Sequence, residues 1–173
     1  SYANGTLTVN PADAVVTAKS ANLTYNGSQQ SVSGFTVTGL VNGETAAVLT
    51  NVTAGVNGTN AGTYTTTATG TAQNYNLSFV DGTLVIDKAA LTVTGNTANV
   101  TYTGQTQSVT GYSVAGLQGA DTVADLTSIS ASGASGINAG TYTNTVSVGT
   151  ETNYVLTTVD GALNVAKANL TVT

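Results

Sequence analysis

No cysteine, methionine, tryptophan, histidine or arginine occurs among the 173 residues, and Pro11 is the only proline. Without cysteine there is no disulfide, no thiolate ligand and no thiol nucleophile. Small secreted domains often depend on disulfides, so this chain must hold its core by strand pairing and tyrosine burial alone. The missing histidine removes the commonest general base and proton shuttle near neutral pH. Cations are almost as scarce: three lysines face eight acids, for a net charge of −5. Nucleic acid as a partner needs basic stripes to displace counterions, and anionic membranes need polybasic clusters; neither is here. No run approaches the ~18 apolar residues of a membrane-spanning helix, so this segment has no means of membrane insertion. Glycosidase-type chemistry requires two converging carboxylates. Asp13, Glu44, Asp81, Asp87, Asp121, Asp125, Glu151 and Asp160 are instead scattered, several of them in turn contexts. The chain reads as no enzyme, with no cofactor.

What is present is repetitive. Asn-Ala-Gly-Thr-Tyr occurs at Asn60–Tyr64 and again at Asn138–Tyr142, with the same signals in the same order around it. A Tyr-x-Gly (Tyr25–Gly27, Tyr102–Gly104) and a Gly-Leu (Gly39–Leu40, Gly116–Leu117) precede it. An Asn-Tyr (Asn74–Tyr75, Asn153–Tyr154), an Asp-Gly (Asp81–Gly82, Asp160–Gly161) and a Lys-Ala (Lys88–Ala89, Lys167–Ala168) follow. The offset grows from 77 residues at the tyrosine (102 − 25) to 79 at the lysine (167 − 88), which places two extra residues in loops of the second copy. A period of this size signals an array, and arrays serve reach or display more often than a single reaction.

Low charge with abundant Thr, Ser, Asn and Gly is also the composition of disordered tails. Regular alternation argues against that reading here. Leu84 and Ile86, Leu163 and Val165, and Leu7 and Val9 each point one way from a strand, as do Leu91 and Val93, Leu170 and Val172, and Ala14 and Val16. Threonine fills many of the positions between, giving one buried and one wet face. Asn-Gly and Asp-Gly tolerate positive φ, so Asp81-Gly82 and Asp160-Gly161 read as tight turns between paired strands. Residues 42–49 and 119–126 alone have a helical flavour, about two turns that packing would have to stabilise. The framing that follows is 1–10 as the closing strand of a preceding repeat, 11–87 and 88–166 as complete repeats, and 167–173 as the opening strand of a following one. With no signal peptide or targeting tail visible, the expectation is an excerpt of a longer array.

The ordered set of motifs resembles the MBG/YDG-type repeats of very large bacterial surface adhesins, including filamentous-haemagglutinin-like proteins. In the first complete unit it comprises Leu23–Gly27, Gly39–Ala46, Asn60–Tyr64, Asn74–Tyr75 and Asp81–Ala89, and the likeness covers nearly the whole chain. The Tyr-Asp-Gly of the family name stands here as Tyr25-Asn26-Gly27 and Tyr102-Thr103-Gly104. The resemblance implies a mainly β chain of two tandem small domains, β-grasp-like or an immunoglobulin-like sandwich. It also implies an extracellular place on the bacterial cell surface, with further copies of the repeat in the same chain. It names no ligand.

Three functional readings follow. The first is a stalk that extends a distal binding region in adhesion or biofilm formation. The second is weak binding of host mucin or polysaccharide by each module, with avidity from the array. The third is self-assembly into a filament through strand pairing by the terminal segments. Tyr25, Tyr64, Tyr75, Tyr102, Tyr142 and Tyr154 are the candidate residues, as sugar platforms or as core aromatics with the hydroxyl at a rim partner. Asp121 and Asp125, four apart, are the nearest approach to a calcium site, but Glu44 and Val48 occupy the matching places in the first unit, and no metal is expected. Lys88 and Lys167 read as linker lysines, solvated or bonded to a carbonyl. Between inward Ile86 and inward Leu91 there is no Gly and no Pro, so one unit should run almost directly into the next. That predicts an end-to-end, semi-rigid rod advancing ~40 Å per unit at ~3.3 Å per residue.

Overall fold

The apolar–threonine alternation produces strands almost wherever it occurs. The computed structural model describes residues 4–172. Strands β1 (Ala12–Ala18), β2 (Ala21–Thr24), β3 (Gln30–Ser33), β4 (Phe35–Thr38), β5 (Thr53–Gly58), β6 (Gly62–Thr69), β7 (Tyr75–Val80) and β8 (Gly82–Asp87) come from the first repeat. The second gives β9 (Ala89–Gly95), β10 (Ala98–Thr101), β11 (Gln107–Val109), β12 (Tyr112–Ala115), β13 (Ile129–Ala131) and β14 (Ala134–Gly136). It continues through β15 (Gly140–Asn144), β16 (Val146–Val148), β17 (Tyr154–Val159) and β18 (Gly161–Ala166). The chain is all-β, in two tandem compact units. One comprises residues 1–23 and 29–87, the other residues 24–28 and 88–173.

In the first unit, β1 lies between antiparallel β4 and parallel β7, and β8 lies inside a five-stranded sheet ordered β2-β8-β6-β5-β3. The core sits between the two sheets: Ala14, Val16 and Ala18 of β1 meet Ala68 of β6, Leu49, Val52 and Tyr75. Burial follows the alternation closely, with Val16 and Leu84 both 0% exposed. In the second unit β9 lies between antiparallel β12 and parallel β17, and β18 between β10 and β15. Leu163 and Val165 of β18 and Ala134 of β14 form a buried cluster there.

Three local expectations are corrected. The Asp-Gly pairs are not hairpin turns. β7 and β8 lie in different sheets, as do β17 and β18. Gly82 is there because other backbone passes too close for a side chain: a Cβ would stand 2.5 Å from the Lys19 carbonyl oxygen. The helical segments shrink to 3-10 turns at Ala46–Val48 and Val123–Asp125, since neither has enough apolar residues on one side to fix a longer helix. Finally, one of the two extra residues of the second copy falls within a strand. Ser132-Gly133 separates β13 from β14 where the first unit has Gly55 inside β5, and Gly133 (φ +72) carries the resulting bulge.

Residues 4–11 and 167–172 form no strand among the described residues, and Leu7, Val9, Leu170 and Val172 are 82–88% exposed. Their pattern is that of β8 and β9, each of which is held by ladders on both sides. No described strand offers the terminal segments such a ladder, and alternation without a ladder does not make a strand.

Candidate functional site

Each unit builds the same polar constellation from its Gly-Leu loop and its Asn-Tyr strand. In the first, the Tyr75 hydroxyl donates to Glu44 Oε2 and accepts the Val41 amide at 3.1 Å. In the second, the Tyr154 hydroxyl donates to Asp121 Oδ2 at 2.6 Å and accepts the Gln118 amide at 2.9 Å. The tyrosine stem lies in the core, 6% exposed for Tyr75 and 5% for Tyr154, while the loop carboxylate meets the hydroxyl at the rim. Spacing alone does not mark these partners, because the acid follows the Gly-Leu by four residues and reaches the tyrosine only across the fold. The signal available was that an acid, Glu44 or Asp121, recurs at the same place after that motif.

Residues 24–28 add a third member in the second unit. Tyr25 is 5% exposed; its hydroxyl donates to the same Asp121 Oδ2 at 2.8 Å and its ring stands edge-on to Tyr154, 5.5 Å away at 83°. Burial and the Asp121 carboxylate push Tyr154 up to about 12, and the same two causes raise Tyr25. The Glu44 hydrogen bond raises Tyr75. All three phenols are thus held neutral and donating, the reverse of an activated nucleophile. In the first unit, Glu44 and Tyr75 edge an open, mostly polar cavity of about 310 Å³.

The remaining candidates lie elsewhere. Tyr64 and Tyr142 are half-buried, each covering a glycine (Gly58, Gly136) and donating to the carbonyl of Asn60 or Asn138 at 2.8 and 3.0 Å. Tyr102 is 40% exposed. The six tyrosines therefore do not form one platform: Tyr25 and Tyr154 meet, and the rest stand at separate places.

The carboxylates have internal tasks. Asp125 Oδ2 accepts the Thr122 amide at 2.7 Å and hydroxyl at 2.8 Å, and the amide bond foremost lowers its pKa. Glu151 accepts the Ser128 hydroxyl at 2.6 Å, which holds it below the usual range. Asp121 and Asp125 thus serve different partners, and no group of three metal-ligating side chains converges among the described residues. Lys88 Nζ donates to the Glu151 main-chain carbonyl at 2.6 Å, one of the two linker-lysine roles expected.

The chain has no significant match among curated proteins or solved structures. A family model for the MBG domain of YGX type does match, twice in tandem, over residues 14–85 and 91–164. The two matches coincide with the two repeats and take in both tyrosine–carboxylate constellations. The family is a non-catalytic, structural β-domain type typical of extracellular proteins. The chain belongs to the MBG domain family of YGX type.

Proposed function

We propose that this chain is a stalk segment of a bacterial cell-surface adhesin, extending a distal binding region from the cell. The observation that carries the reading is the join: β8 ends at Asp87 and β9 begins at Ala89, leaving Lys88 alone between the last strand of one repeat and the first strand of the next. A one-residue connection with no glycine cannot act as a flexible coil. Its lysine is itself bonded to the Glu151 carbonyl. The proposed arrangement is the end-to-end rod, and small-angle scattering of the 173-residue chain tests it. An elongated pair-distance distribution with a single narrow interdomain geometry is expected. A compact particle or a broad range of angles would remove the support for a stalk.

Direct binding of mucin or polysaccharide is the second reading, supported by the polar cavity beside Glu44 and Tyr75. Against it stands the placement of the aromatics. Tyr25, Tyr75 and Tyr154 are buried and Tyr64 and Tyr142 half-buried, so a sugar would find no aromatic face repeated in both units among the described residues. Filament growth by strand exchange has less behind it, since the places matching residues 4–9 and 168–172 are already filled by β8 and β9.

A further inference from the structure

One sheet edge of the second unit is both long and unguarded. β17 (Tyr154–Val159) ends the sheet ordered β12-β9-β17, paired to β9 on one side and to no described strand on the other. Its parallel ladder opens with the Ala89 amide on the Asn153 carbonyl. In such a ladder alternate residues face the partner strand, so Val155, Thr157 and Val159 turn their amides and carbonyls toward β9. Tyr154, Leu156 and Thr158 turn theirs to the free side. Proteins commonly guard such an edge with lysine, proline, a bulge or a very short strand. β17 has six residues and carries no charge, no proline and no glycine. The acids flanking it are occupied, since Glu151 holds the Ser128 hydroxyl and Asp160 the Val146 amide.

The edge does not owe its freedom to the ends of the sequence. β7 holds the matching place in the first unit and has a complete repeat after it, while β17 has a complete repeat before it. Each is nonetheless the last strand of its sheet. The two strands differ in what they show outward. β17 presents Val155, Thr157 and Val159, the valines 55% and 51% exposed, where β7 presents Asn76, Ser78 and Val80.

The outward row of β17 is complementary to itself. An antiparallel copy centred on Thr157 sets Val155 opposite Val159, Thr157 opposite Thr157 and Leu156 opposite Thr158. In that register the free amides and carbonyls of Leu156 and Thr158 fall on the hydrogen-bonded pairs. The valines and threonines fall on the non-hydrogen-bonded pairs, where side chains stand closest. Shifting the centre to Leu156 or Thr158 sets valine against threonine, and β7 centred on Ser78 sets Asn76 against Val80.

We propose that β17 is a docking edge for a second copy of this chain, the two β17 strands pairing antiparallel about Thr157 into one continuous sheet. The contact uses the same surface on both copies, so it closes as a symmetric dimer and grows no further. It is small, with about four backbone hydrogen bonds and a valine pair at either end. Its dissociation constant is accordingly on the order of 0.1–1 mM. The inference goes beyond the stalk reading and does not rest on it: a compact scattering particle leaves it intact, and its failure leaves the rod intact.

The test exploits a chain that has no cysteine of its own. Residues in a non-hydrogen-bonded pair have Cα atoms ~4.5 Å apart, within the ~4.4–6.8 Å that a disulfide spans. Thr157→Cys under mild oxidation should therefore give a covalent dimer well ahead of Ser78→Cys, the matching place on β7. Register is read by mixing Val155→Cys with Val159→Cys. The mixture should cross-link as a heterodimer, whereas either variant alone holds its two thiols four residues, ~13 Å, apart along the strand. Sedimentation gives a readout without cysteine. Wild type should pass from monomer to dimer as concentration rises to a few millimolar. Thr157→Lys, at an exposed side chain and expected to keep the wild-type melting temperature, sets like charges face to face and should weaken dimerisation by roughly tenfold or more. A wild type that stays monomeric, oligomers that grow past the dimer, Thr157→Cys linking no faster than Ser78→Cys, or a mixture without preference for the heterodimer would each overturn the proposal.

Discussion

Tyr64 lies across its hairpin from Gly58, and the two are matched in shape. A Cβ on Gly58 would fall 2.4 Å from the ring, so the glycine leaves the room that the tyrosine fills, and the hydroxyl then reaches back to the Asn60 carbonyl. Tyr142 repeats this over Gly136 and Asn138. Each ring is half-buried, so deletion costs less than for a core aromatic. Tyr64→Ala should lower the stability of the first unit by about 2 kcal/mol, below the ~3–5 kcal/mol of a fully buried ring. Tyr64→Phe, losing only the hydrogen bond, should cost about 1 kcal/mol. Denaturant titration of both variants checks the ratio. A Tyr64→Ala protein of unchanged stability would show that the ring does not support the hairpin.

Among the elements, the bulge at Ser132-Gly133 explains the second unit's most buried polar side chain. The extra residue takes the Gly133 amide out of its ladder. Asn144, 0% exposed, accepts that amide on Oδ1 at 2.9 Å and donates from Nδ2 to the Gly111 and Asn96 carbonyls at 2.9 and 3.1 Å. The matching residue of the first unit is Thr66, also 0% exposed, whose Oγ1 has no partner among the described residues. The two positions should therefore respond oppositely. Asn144→Ala removes three hydrogen bonds made by a fully buried side chain, the Gly111 carbonyl alone keeping a partner in the Asn96 amide, and should destabilise the second unit by about 3 kcal/mol, whereas Thr66→Val removes an unpaired hydroxyl and should be neutral or stabilising by up to ~1 kcal/mol. Thermal melts of the two variants side by side test this. The inward positions of β1, β8, β9 and β18 were legible in the sequence because alternation directly encodes which face is wet. The bulge, the sheet change at Asp-Gly and the Glu44–Tyr75 pairing were not. Each depends on which backbone or side chain arrives from a distant segment, and local pattern holds no record of that. Glycine in particular reads the same whether it serves a positive φ, as at Gly133, or a close approach, as at Gly82.

At the level of the whole molecule, the neutral phenols link stability to alkaline pH. Tyr154 lies near 12 in the fold against an ordinary 10, and Tyr25 and Tyr75 are shifted the same way. A raised pKa favours the protonated form, so this contribution is complete below pH ~10 and is lost as pH rises through about 12. Melting temperature should hold steady up to that lower bound and fall beyond it, with the late-titrating tyrosines ionising together with unfolding in ultraviolet absorbance. Ionisation of every tyrosine around the ordinary midpoint of about 10, with the fold intact, would contradict the burial of these hydroxyls.

The first and last strands of each unit share a property with a further consequence. β1 and β8, and β9 and β18, are all interior strands, each flanked by a ladder on both sides. A unit tugged or gnawed at either extremity cannot shed its outermost strand like a loose thread, because two rows of hydrogen bonds must give way together and the core-facing side chains must come out with them. Such a module should yield abruptly or not at all.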